Sequence, residues 1–86
     1  MTQINADVLN NCVDVCRTNN KKNADYLACL TGCENTFMTG TGNTMTPDGK
    51  GGKVFSDTIG GKVFIDARGG KVFSPPPAAP ATLVGQ

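Results

Sequence analysis

Residues 12–33, CVDVCRTNNKKNADYLACLTGC, decide the fold of this 86-residue chain, because they carry two Cys-x3-Cys pairs on either side of a short polar run. Cysteines four residues apart on a helix lie on one face, one turn from each other. The polar run, residues 18–22, is short, and short connections favour antiparallel neighbouring helices. This stretch therefore predicts an α-helical hairpin with all four cysteines at the helix interface.

Apolar residues extend both cysteine pairs into helical stripes. The stripes are Leu9, Cys12, Val13 and Cys16 in the first helix, and Tyr26, Cys29, Leu30, Cys33 and Phe37 in the second. Such spacing is typical of a helix with one buried face. Asn5 and Asn23 are the predicted N-caps, and Gly40 is placed to end the second helix.

The four cysteines allow three disulfide connectivities, and only the hairpin geometry selects one of them. Antiparallel helices place Cys12 opposite Cys33 and Cys16 opposite Cys29, so we predict these two disulfides. A zinc ion held by all four cysteines is one alternative, and buried free thiols are another. Structural zinc more often uses Cys-x2-Cys knuckles and the chain has no His, so disulfides are favoured and no metal is assigned.

A verbatim repeat follows the cysteine region. Gly-Gly-Lys-Val-Phe occurs three times at a nine-residue period, beginning at Gly51, Gly60 and Gly69. Val and Phe next to Gly pairs are typical of short strands joined by tight turns. We predict a three-strand antiparallel arm, because a parallel stacked solenoid would align the three lysines of the repeat in one like-charged ladder.

The predicted turns determine the register of the arm. Two-residue type II turns at residues 59–60 and 68–69 would bring identical or complementary side chains together. The predicted pairs are Phe55–Phe64, Phe64–Phe73, Val54–Ile65, Ile65–Val72, Asp57–Lys62 and Asp66–Lys71. So small a sheet is marginal in water unless it packs on something. The arm is therefore expected to pack on the hairpin or, as we favour, on a neighbouring chain. The residues expected to make that contact are Val54, Phe55, Val63, Phe64, Ile65, Val72 and Phe73.

Composition divides the chain into three zones. Residues 1–40 form the predicted hairpin, residues 41–74 the Gly-rich arm, and residues 75–86 a tail rich in Pro and Ala. The tail is predicted to be extended, since Pro-rich segments favour the polyproline II conformation. The expected fold class is α+β: a disulfide-stapled helical hairpin, a short three-strand β arm and an extended tail.

Charge and motif content exclude several functions. A net charge of +1 with 17% charged residues gives no electrostatic footprint for nucleic acid. The sequence contains no run of 18 apolar residues, so it predicts no membrane span. Phosphate-loop and calcium-repeat motifs are missing, and no nucleophile can be matched with a base. We therefore predict no catalytic residues, no cofactor and no small-molecule substrate.

Cysteine usage points to the compartment. Disulfides favour an oxidising or extracellular setting, including a virus particle or filament. The first 20 residues lack a basic start followed by an apolar stretch, so no secretory signal peptide is seen.

The cysteine spacing resembles that of twin Cys-x3-Cys helical-hairpin proteins. It looks like the small chaperones of the mitochondrial intermembrane space and is similar to the plant α-hairpinins, two families in which nested disulfides tie two helices. The resemblance covers residues 5–40 and rests on the four cysteines. It implies a two-helix fold, with chaperone activity in the first family and defence in the second. The Gly-rich arm has no counterpart in the long helices of the chaperones.

The leading functional hypothesis is a non-enzymatic structural protein. It would bind across neighbouring protein subunits, itself included, in a larger particle such as a virus capsid or tail, or in an extracellular filament. One alternative is a small chaperone or adaptor with a client groove lined by Leu27, Leu30 and Phe37. Another is a secreted α-hairpinin-like defence or inhibitor peptide.

Overall fold

The computed structural model describes residues 3–77. Its elements, in chain order, are α1 Ala6–Asn19, α2 Asn23–Met38, β1 Thr44–Pro47, β2 Lys53–Ser56, β3 Lys62–Ile65 and β4 Lys71–Ser74. The strands form one antiparallel sheet in the order β1-β2-β3-β4. The α+β class is confirmed. The predicted strand number is wrong, because β1 precedes the first repeat copy and pairs with β2.

Two disulfides join the helices with the predicted pairing. Cys12 is bonded to Cys33 and Cys16 to Cys29, with Cα–Cα distances of 5.8 and 5.7 Å. The two bridges touch, since the sulfur atoms of Cys16 and Cys33 lie 3.4 Å apart. Both sulfurs are already bonded, so this approach is a packing contact. The described residues contain no free cysteine. Zinc and free-thiol states are therefore not the states in this structure.

The start of α1 is capped from the sheet. Asn5 has the extended backbone of an N-cap, but its side chain makes no capping hydrogen bond. Instead, the backbone N–H of Ala6 donates to Oδ2 of Asp57 at 2.7 Å. The N-cap position of α2 is Lys22, and Asn23 is already helical. The prediction of Asn5 as the N-cap residue of α1 is confirmed in position, although Asp57 supplies the capping oxygen through a contact remote in sequence. The prediction of Asn23 as an N-cap is wrong.

The strand register differs from the prediction by one residue. Phe55 lies opposite Val63, and Val54 lies opposite Phe64. The same shift pairs Val63 with Phe73 across β3 and β4. The reason is loop length: each hairpin has three loop residues, the last a glycine with positive φ, as in Gly60 at +94°. A three-residue loop of this kind adds a bulge that a two-residue turn lacks.

An aspartate organises each loop. Oδ1 of Asp57 accepts hydrogen bonds from the backbone N–H groups of Ile59 and Gly61, at 2.9 and 2.7 Å. Asp48 and Asp66 accept the equivalent pair in their own loops. The predicted pairing of Asp57 and Asp66 with lysines is therefore wrong. The structural repeat is Asp-x2-Gly-Gly-Lys-Val-Phe, three residues longer at its start than the repeat recognised in the sequence.

Replacing Asp57 by Asn is expected to destabilise the protein by about 1–2 kcal/mol, because an amide nitrogen in place of Oδ2 cannot accept from the N–H of Ala6. Asp66→Asn is the matched control. Its Oδ1 serves the same loop bonds, but its Oδ2 caps no helix. Urea unfolding of both variants measures the difference. Equal losses from the two substitutions would show that the Asp57 cap contributes nothing.

The hairpin and the sheet share one hydrophobic core. The buried members are Ala6, Leu9, Val13, Cys16, Tyr26, Leu30, Cys33, Phe37, Phe55, Val63 and Ile65. Phe37 of α2 meets Phe55 of β2 edge to face, with ring centroids 5.9 Å apart. The hydroxyl of Tyr26 donates to the carbonyl oxygen of Gly69 at 2.5 Å, and Arg17 donates to the same oxygen. The predicted arm therefore lies against the hairpin.

Candidate interaction surface

Successive copies of the repeat present opposite faces of the sheet. Side chains alternate between faces with a period of two. Three-residue loops combined with a nine-residue period place equivalent residues of neighbouring copies on opposite faces. Phe55 of the first copy consequently points towards the helices and Phe64 of the second points away. Two-residue turns would have put both rings on one face.

The inner face supplies the core. Phe55, Val63 and Ile65 are buried, and Phe73 packs against the same cluster while partly exposed. These four residues were among those expected to bind a neighbouring chain. The structure places them in contact with the hairpin, so only three of the expected residues remain on the outer face: Val54, Phe64 and Val72.

The outer face carries an apolar row across the whole sheet. This outer row consists of Thr46, Val54, Phe64 and Val72, one residue from each strand. Val54 and Phe64 are half-buried, whereas Val72 is 61% exposed. An exposed valine beside an aromatic ring on an open sheet face is suited to protein contact.

Two polar rows flank the outer row. On one side lie Thr44, Ser56, Lys62 and Ser74, and on the other lie Asp48, Gly52, Asp66 and Gly70. Backbone hydrogen bonds from Gly70 and Arg68 hold the pKa of Asp66 below its usual range, so this carboxylate is charged at neutral pH. Beside Phe64 is a cavity of about 310 Å³, lined also by Asp48, Lys50, Asp66, Ala67 and Arg68.

The lysines of the repeat follow the same alternation. Lys53 and Lys71 point inward, where Lys71 binds Asp14 of α1 at 2.9 Å. Lys53 lies 3.9 Å from Glu34 of α2. Lys62 is on the outer face and makes no ion pair within residues 3–77. The outer face thus carries a cation that the rest of the described chain does not use.

A second cavity, of about 160 Å³, lies between α2 and the loops at Gly51 and Gly69. Burial raises the pKa of Glu34 in its wall more than the charge of Lys53 lowers it. The Glu34–Lys53 pair links α2 to β2, so its two charges already serve the fold. This makes the outer face the better candidate for a partner.

The residues expected to line a chaperone groove pack mostly against the sheet, although Leu27 and Leu30 also line the cavity beside Glu34. Leu30 and Phe37 are buried beneath the sheet, and Leu27 packs against the same core. The large apolar residues that the hairpin does expose include Val8 and Val15 on α1. Client binding through the predicted groove would require the sheet to leave the helices.

Comparisons with known proteins identify no relative: no family model, no curated protein and no solved structure matches this chain. The helical hairpin with its nested disulfides is consistent with the twin Cys-x3-Cys pattern. Two disulfides indicate an oxidising compartment. Across residues 3–77, neither helix has the length and apolar character needed to cross a membrane.

Proposed function

We propose that this chain is a non-enzymatic structural protein that binds neighbouring protein subunits of a larger assembly through the outer face of its sheet. The assembly is an extracellular or virion particle or filament. The observation that carries this proposal is the outer row: an apolar stripe on a cross-linked unit, beside Lys62, which has no ion-pair partner within residues 3–77.

The construction of the molecule supports a role in assembly. The disulfides, the shared core and the aspartate-ordered loops fix the outer face before any partner arrives. A preformed surface loses little conformational entropy when it binds. A small fold with two cross-links also suits an oxidising exterior, where reduction by cellular thiols does not occur.

The likeness to twin Cys-x3-Cys chaperones extends to the helical hairpin. It does not extend to the client groove that a chaperone would need. Leu30 and Phe37, which would have lined a client groove, instead hold the sheet. An α-hairpinin-like defence role would act through the hairpin alone, whereas the repeat is built into the same core. Both observations favour the structural role over these alternatives.

Lysine footprinting of natively isolated material tests the proposal. The chain is expected to sediment with a large particle, and acetylation of Lys62 should fall several-fold relative to the purified chain. Lys21 and Lys22, in the exposed loop between the helices, serve as internal controls and should stay reactive. Slow sedimentation as a free small protein, with all three lysines equally reactive, would contradict the assembly role.

A further inference from the structure

The strand sequences place apolar residues on both faces of the sheet. Strands with one solvated face alternate apolar and polar residues, whereas strands buried on both faces read as continuous apolar runs. Here the runs are Val54-Phe55, Val63-Phe64-Ile65 and Val72-Phe73. In residues 3–77 the helices cover the inner face, and the outer row stays open. The occupant of the outer row is therefore still to be identified.

The charges on β3 suggest what the occupant is. Lys62, Phe64 and Asp66 follow one another on the outer face, with the cation and the anion two residues to either side of the ring. A two-fold axis running along the outer row would turn a second sheet face to face with the first. It would place Lys62 of each copy over Asp66 of the other, and Phe64 over Phe64.

An axis parallel to the strands gives a worse result. If it ran along β3, it would place Lys62 over Lys62 and bring two like charges together, which is destabilising. If it ran between β2 and β3, it would place Lys62 over Ser56 and Asp66 over Gly52, so neither charge would meet an opposite one. With the axis along the row, the small residues are also complementary: Ser56 and Ser74 come over Gly52 and Gly70. Charge and size thus select the same arrangement.

We propose that the outer row binds the outer row of a second copy of this chain, with a two-fold axis along the row and reciprocal Lys62–Asp66 contacts. This inference rests on the proposed function and names the neighbouring subunit. The interface is isologous: both copies use the same residues. Strands of the two sheets pack face to face, as in aligned β-sandwiches.

The cavity beside Phe64 is where the incoming lysine would lie, and its wall carries two acids, Asp48 and Asp66, together with two cations, Lys50 and Arg68. Its volume is about 310 Å³, and Asp66 forms part of its wall. The aliphatic stem of Lys62 from the other copy would lie on the Phe64 ring while its ammonium reaches Asp66. Oδ1 of Asp66 is engaged by Arg68 and Gly70 N–H groups, which leaves Oδ2 for the lysine.

The size of the surface sets the strength of the pairing. Four strands spaced about 4.8 Å apart and five residues rising about 3.4 Å each give a patch of a few hundred Å². Stable interfaces bury about 800 Å² on each partner. The isolated pair should therefore be weak and concentration-dependent. In an assembly, several such contacts act together and raise the overall affinity without new interactions.

Sedimentation of the full chain from about 10 µM to about 1 mM tests the pairing. We expect a reversible monomer–dimer equilibrium. Val72→Lys should raise the dissociation constant at least about tenfold, because it places a charge in the apolar row. Val15→Lys is the matched control: the valines are 61% and 56% exposed, but Val15 lies on α1. It should leave the equilibrium unchanged.

Lys62→Glu is the second variant, and Lys21→Glu its control. The first should weaken dimerisation at least about tenfold and the second should not, because only Lys62 faces Asp66. A wild-type chain that stays monomeric throughout overturns the proposal, as does equal weakening by both members of either variant pair. If the monomer protects Phe64 from solvent and a chain ending at Pro77 does not, residues 78–86 cover the face and the proposal also fails. Footprinting of Lys62 in the native particle would then still decide the proposed assembly role.

Discussion

Phe55→Ala is expected to remove most of the stability of the protein, with a loss of about 3–5 kcal/mol. Phe55 is 1% exposed and packs edge to face on Phe37, so its ring joins the sheet to the hairpin. Domains of this size have a total stability near the lower end of about 5–15 kcal/mol. Thermal unfolding followed by circular dichroism should show a fall in Tm of about 15 °C or more.

Phe64→Ala is the control for Phe55→Ala. Phe64 is the same residue of the next repeat copy, but its ring lies on the outer face. We expect a loss of about 1 kcal/mol or less for this variant, measured at low concentration to avoid self-association. Similar losses for the two phenylalanines would mean that both rings lie on one face of the sheet, as the two-residue turns would require.

Removing both disulfides is expected to unfold the protein. On the chain-entropy model, a bridge that closes a loop of this size stabilises by about 3 kcal/mol, so the pair supplies about as much as the net stability of the domain. The sequence separations are 21 and 13, and the two bridges should contribute similarly. Paired Cys→Ala substitutions avoid burying hydroxyl groups. Urea unfolding of each single-bridge variant and of the double variant measures the contributions.

Reduction of the wild-type chain followed by alkylation provides an independent check on the double variant. Both preparations should lose the cooperative transition, while each single-bridge variant keeps it at a lower urea concentration. A double variant that unfolds cooperatively near the wild-type midpoint would show that the shared core alone maintains the fold.

The hairpin could be predicted because its signals are local. Two Cys-x3-Cys pairs and the apolar residues between them define helix faces, and an antiparallel hairpin leaves one disulfide pairing. The side chain that caps α1 could not be predicted in the same way. Asp57 reaches Ala6 across 51 residues, a contact that no local pattern contains.

The sheet was predicted only in outline. Each Gly-Gly pair can close either a two-residue or a three-residue loop, and this choice shifts the register by one residue. The aspartate three residues before each glycine pair distinguishes the two loop lengths. In the three-residue loop, the side chain of Asp57 accepts hydrogen bonds from the backbone N–H groups of Ile59 and Gly61. β1 was missed because Thr44–Pro47 contains no repeat copy and ends in proline.

The face assignment, and with it the candidate interaction surface, depends on that register. Seven residues were expected to bind a neighbour, but the observed loops turn four of them to the inner face, three buried and Phe73 partly exposed, and leave Val54, Phe64 and Val72 outside. The apolar residues of the strands could be identified from the sequence. Which of them lie on the inner face and which on the outer face depends on the length of the loops. The predicted extended tail lies partly outside the described residues, from residue 78 onward.

Solvent exposure of the phenylalanine rings tests most directly whether successive repeat copies present opposite faces. The measurement is paramagnetic broadening of the ring proton signals by a soluble gadolinium chelate, on the Val72→Lys variant at low concentration so that the outer face stays free. The signals of Phe64 should broaden strongly while those of Phe55 persist. Equal broadening, or equal protection, of Phe55 and Phe64 would contradict the alternation and the interaction surface derived from it.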